Sequence, residues 1–179
     1  MTRFDEENAQ DPAARELLYA QRLTDWVRRL EPEASEALRL AARSQHIRRW
    51  EVPRAQFPAD RAGYHRWRNH LKQFHAEIAG KILAECGCGE ELISRVQALN
   101  RKTLFPHDPD SQTLEDALCL VFLEFQLADL AARTDDAKVI NALRKSWQKM
   151  SVRARAAADT LAFGPREKAL LEAALSMEL

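Results

Sequence analysis

Every proline in this chain falls at the edge of a helical pattern and none falls inside one, and this constrains the fold more than any other feature. Asp11-Pro12 and Pro32 open helices, because proline at a first helical position gives up no hydrogen bond and the aspartate can accept an orphaned backbone N–H. Pro53 ends the second helix, Pro58 lies in the loop behind it, Pro106 and Pro109 mark another loop, and Pro165 opens the last helix. Between them, apolar residues recur at helical spacing: Leu17, Leu18, Trp26, Val27 and Leu30, then Leu71, Phe74, Ile78, Ile82 and Leu83. Only five glycines occur, and no segment alternates like a strand with hairpin punctuation. The predicted helices cover about 11–30, 32–50, 60–85, 90–102, 112–133, 136–150, 152–162 and 165–177. The expected fold is all-α: a flexible N-terminal arm over 1–10, then one globular domain over 11–179 of about 7–8 helices. The helix near 112–133 contains ALCLVFLEF, apolar on every side, and is expected at the centre.

A chain of 179 residues suits one domain with a real core. The opening MTRFDEENAQDP is acidic and polar, unlike a secretory or transit leader, and the longest apolar run, 117–123, is far too short to span a bilayer. A cytoplasmic protein with no membrane partner is expected. Cys86, Cys88 and Cys119 form no disulfide framework, and the CGC lacks the second cysteine pair of a zinc site, so a reduced turn is the plainer reading.

Net charge is zero but unevenly spread. Residues 43–72 hold eight basic and two acidic side chains, so this segment carries +6 and the remainder −6. An anion-attracting patch results if these residues converge; a solvated face paired with acids elsewhere is the alternative. Long nucleic acid is not favoured as a partner, given zero net charge and no recognition motif.

Three polar residues stand where helical core is expected. Asp116 shares a helix face with Leu120, Leu123 and Leu127, a costly setting for a carboxylate that lacks a partner, although its place in a first turn suits the helix dipole. His46 lies near the end of the second helix, and His75 follows Phe74 in the long one. Two histidines and an aspartate from three helices suit a divalent first-row metal, or an acid–base pair acting on a phosphate ester. Arg48, Arg49, Arg54, Arg61 and Arg68 flank the histidines, and guanidinium forks bind phosphate bidentately. Trp50, Tyr64 and Trp67 interleave with them as faces on which a nucleobase could stack, or as core anchors.

The segments ELLYAQRLTDW (16–26), AARSQHIRRWEVPR (41–54), DRAGYHRWR (60–68), FHAEIAG (74–80) and LEDALCLVFLEF (114–125) resemble a family catalogued as domain of unknown function 4202, over about residues 16–160. A more distant resemblance is to the HD superfamily of helical metal-dependent phosphohydrolases. AARSQHI is similar to that superfamily's histidine–aspartate segment, FHAEIAG to its later histidine helix, and LEDALCL to its final aspartate helix. The resemblance implies an HD-like fold with His46, His75 and Asp116 as catalytic and metal-binding residues. It also implies that Ile47 stands where an aspartate ligand belongs, and that the first helix offers Tyr19, Gln21 or Arg22 in place of a histidine.

Two of four usual ligands are thus missing, which weighs against occupancy by manganese, iron, nickel or cobalt. The expected function is a degenerate HD-like protein that holds a phosphate-bearing small molecule, such as a nucleotide, between arginines, tryptophans and histidines, with or without metal-assisted hydrolysis. A non-catalytic nucleotide- or anion-binding module is the alternative, and an iron-dependent oxygenase a more remote one.

Overall fold

Serine and aspartate side chains start the helices at the breaks in the sequence pattern. Ser35 accepts from Leu38 N–H, Asp60 from Gly63 N–H, Asp135 from Lys138 N–H and Ser151 from Ala154 N–H, each answering a backbone donor that the first turn leaves unpaired. The computed structural model describes residues 1–176, and among these it is all-α. Ten helices follow in order: α1 (Thr2–Asn8), α2 (Glu16–Leu30), α3 (Glu36–Ser44), α4 (Arg61–Glu85), α5 (Glu90–Arg101), α6 (Pro109–Phe125), α7 (Leu127–Arg133), α8 (Asp136–Lys149), α9 (Val152–Ala158) and α10 (Pro165–Leu175). Single 3-10 turns at Arg49–Glu51 and Arg54–Gln56 link α3 to α4.

Several expected boundaries move, each for a local reason. Residues 2–8, expected in a flexible arm, form α1: Phe4 is 1 % exposed, and Asn8 Nδ2 donates to the Arg43 carbonyl at 3.0 Å. Asp11 does accept orphaned donors, from Ala13, Arg15 and Glu16, but the helix it serves begins only at Glu16. The second helix stops at Ser44 rather than near 50, and beyond it Arg48 takes a left-handed φ of 51°. The predicted helix over 112–133 is two, broken at Gln126. The predicted end of the last helix at Met177 lies outside the described residues.

The CGC is a helix stop. Gly87 has φ 77°, and the N–H groups of Gly87 and Cys88 return to the carbonyls of Ala84 and Leu83, closing α4 in a Schellman turn. Glycine is needed there because a side chain strains a left-handed residue. None of the three cysteines is in a disulfide.

The chain divides into two compact units, Met1–Leu114 and the residues from Glu115 onward. In the first, α3 packs against α1, α2, α4 and α5, and buries Leu38, Leu40, Ala41 and Ala42. Gly80 lets α4 approach α5 closely, since a Cβ there would strike the Gln97 side chain, which itself donates to the Ala76 carbonyl. Arg95 of α5 grips Asp108 and Asp110, and Asp110 accepts from Ser35, which ties the starts of α3 and α6 to α5. In the second unit α7, α8 and α10 pack together. Along α6, Leu114, Ala117, Leu120, Val121 and Leu123 are buried.

Candidate functional site

In the first unit, α2, the segment after α3, α4 and the end of α5 converge on two histidines. Asp11, buried, takes the backbone N–H groups of Ala13, Arg15 and Glu16 and so fixes where α2 begins. Burial pushes its carboxyl up, but those three donors overcome the effect and hold it below the usual aspartate range. One turn into α2, Tyr19 stacks on His46 with ring centroids 4.0 Å apart and planes 6° from parallel. Glu16 places Oε2 3.3 Å from His46 Nδ1.

The two histidines are neighbours, their ring centroids 5.9 Å apart. His75 is 2 % exposed, and its Nδ1 lies 2.8 Å from the Ile47 carbonyl oxygen. Ile47 therefore serves twice: its side chain is fully buried in the core and its carbonyl orients an imidazole. Arg49 Nη1 lies 3.5 Å from His46 Nε2, and its guanidinium carbon sits 4.9 Å from the centre of the Trp67 ring, a cation–π arrangement. Trp67 is held in turn by donating Nε1–H to the Val52 carbonyl at 3.0 Å. Tyr64, 46 % exposed, adjoins Trp67 at 6.0 Å between centroids.

The electrostatics follow from burial and from an excess of cations. Burial, then the charges of Arg49, Arg68 and Lys102, push His46 well below the ordinary histidine range. Burial, His46, Arg49 and Arg68 push His75 down to about 3, against the opposing effect of its bond to Ile47. Glu16 moves the other way: burial and Asp11 raise it to about 7, although Arg49 and Arg15 pull it down. Burial and neighbouring Arg68 lower Arg49, while Glu16 holds it up. At neutral pH both imidazoles are uncharged among three cationic side chains.

Of the residues predicted from sequence, His46, Arg49, Trp67, Arg68 and His75 come together. Arg48 points its charge at Glu7 of α1, 2.6 Å away, and at Glu51. Arg54 donates to the carbonyls of Phe57, Pro58 and Asp60 and so braces the loop before α4. Trp50 is half-buried, and Arg61 is exposed in the first turn of α4. Asp116 belongs to the second unit, where its oxygens accept from Ser151 N–H at 2.8 Å and from the Ser151 hydroxyl at 2.5 Å.

The donor set does not fit a divalent cation. Among the described residues no group of three or more histidine, cysteine, aspartate or glutamate side chains is placed to hold one. Arg49, a cation, also faces the ring nitrogen that His46 would offer.

Sequence reasoning missed Glu16 and Lys102, and placed Tyr19 only as a departure from a ligand pattern. Glu16 carried a signal: it lies on the same α2 stripe as buried Ala20, Leu23, Val27 and Leu30. Lys102, in a left-handed conformation just past α5, carried none.

The family model described as domain of unknown function 4202 matches residues 1–171. No curated protein and no solved structure matches the chain.

Proposed function

The chain belongs to the family described as domain of unknown function 4202, and we propose that its Glu16–His46–His75 cluster, on an HD-like helical scaffold, binds a phosphate-bearing small molecule. The observation that carries this reading is the charge at the cluster: Arg49 and Arg68 act on two imidazoles that stay neutral, Lys102 acts on His46, and Glu16 is the carboxylate set against them. An oxyanion restores the balance, and a guanidinium held on an indole face needs little reorganisation to grip it. Exposed Tyr64 beside Trp67 offers a stacking face for a base, so a nucleotide fits the class.

Thermal-shift and calorimetric titration with inorganic phosphate, nucleoside phosphates and unphosphorylated nucleosides test it. Phosphate compounds should raise the melting temperature, less so as salt increases, and Arg49→Ala and Arg68→Ala should abolish the effect. No stabilisation by any phosphate compound overturns the reading.

Hydrolysis of the bound compound is a second reading, favoured by the Glu16 carboxylate against His46 Nδ1. Such a pairing orients the imidazole, and Nε2 can take a proton from water once a bound oxyanion occupies the Arg49 guanidinium that now faces it. Its test is phosphate release from phosphate monoesters: Glu16→Gln should lower the rate at saturating substrate, and wild-type protein that binds without turnover leaves a non-catalytic module.

A further inference from the structure

His75 is the buried group that anion binding alone leaves without a task. A carbonyl can only accept, so the 2.8 Å contact with Ile47 puts the ring proton on Nδ1 and leaves Nε2 a bare acceptor. That Nε2 is buried and has no hydrogen-bond partner among the described residues. His46 is set the same way: a guanidinium can only donate, so the Arg49 contact makes Nε2 the acceptor and leaves the proton on Nδ1, toward Glu16.

The groups acting on the two rings are known from each neighbouring element: Glu16 and Tyr19 from α2, Arg49 beyond α3, Arg68 from α4 and Lys102 beyond α5. Arg49 is engaged with His46 and Trp67, and Glu16 faces His46 Nδ1. An acceptor left bare among cations is matched by an anion that also carries a donor. An oxyanion without O–H would bring lone pairs against the lone pair of Nε2, and leaving a buried polar group unmatched is how a binding site rejects an analogue.

We propose that this site selects oxyanions bearing an O–H, namely inorganic phosphate or a phosphate monoester as its monoanion, over sulfate and phosphodiesters, with His75 Nε2 accepting the hydrogen bond from that O–H. The proposal rests on the phosphate-binding reading and adds the protonation state and the ester class of the ligand. The P–OH proton stays on the ligand; no bond is made or broken.

Calorimetry on the full chain at pH 6 and constant ionic strength, with inorganic phosphate, monomethyl phosphate, sulfate and dimethyl phosphate, separates the outcomes. Phosphate and the monoester should bind about tenfold or more tighter than sulfate and the diester. In His75→Phe, and in His75→Gln should the former not fold, that ratio should shrink to about twofold or less while Arg49 still supports anion binding. Equal wild-type affinity for all four anions overturns the selection and leaves the anion site standing. A ratio that persists in both variants overturns the role of His75. Failure of every anion to bind overturns the phosphate-binding reading itself.

Discussion

Arg49 touches the site through three neighbours at once: the Trp67 face, His46 Nε2 and the field of Glu16. Removing its charge therefore moves three titrations together. In Arg49→Met the two histidines, which that charge holds down, should titrate closer to the ordinary histidine range, and Glu16, which it also holds down, should rise above about 7. Histidine ring resonances followed by NMR against pH check this; unmoved histidines would show that burial and the remaining charges set them without Arg49. At this scale the sequence was partly legible. Density of arginine, tryptophan and histidine marked His46, Arg49, Trp67 and Arg68 because charge and aromatic character are visible without a fold. What separated Arg49 from Arg48 and Arg54 was invisible: Arg48 is spent on Glu7, 41 residues away, and Arg54 on loop carbonyls. Residue type alone cannot say which partner a guanidinium finds.

At the scale of the element, caps and breakers were the legible part, because proline and glycine act locally. The termination of α3 was not, since it depends on Ile47 turning into the core and on Arg48 adopting a left-handed backbone. Nor was α1, whose reason for ordering is the burial of Phe4 and Glu7. Ser151 shows how one residue can serve two elements: its hydroxyl oxygen accepts from Ala154 N–H at the start of α9, and the same hydroxyl donates to buried Asp116 on α6. Ser151→Ala removes both, and should destabilise the protein by about 1–3 kcal/mol in denaturant unfolding, beyond the effect of an ordinary cap. A change below a few tenths of a kcal/mol would mean that the Ser151 hydroxyl contributes little to holding Asp116. At the start of α4, Gly63→Ala should also destabilise, because a Cβ there collides with the Pro58 carbonyl.

For the whole molecule, the site makes stability depend on pH. His46 and His75 are depressed in the folded state, so the unfolded chain binds their protons first and stability is lost as pH falls below about 6.5. Glu16, raised to about 7, has the opposite sign: the folded state takes its proton first, and stability is gained as pH falls from about 7 to the unfolded value near 4.5. As pH falls from about 6.5 the losses from the two histidines oppose the gain from Glu16, so stability should fall. The fall should continue below about 4.5, where Glu16 no longer opposes it, until His75 takes its proton in the folded state at about 3. His46→Gln removes one loss and should flatten the upper window. Denaturant midpoints measured across the pH series, with constant m-values, provide the check.

The stacking of Arg49 on Trp67 gives the molecule its own optical gauge. A guanidinium 4.9 Å from the indole centre perturbs the excited state of that ring, and an anion that binds Arg49 and offsets its charge changes the perturbation. Phosphate titration should then alter the intrinsic tryptophan emission without any attached dye, and Trp67→Phe should erase the change although Trp26, Trp50 and Trp147 still fluoresce. Emission that responds equally in the variant would place the reporter at another indole.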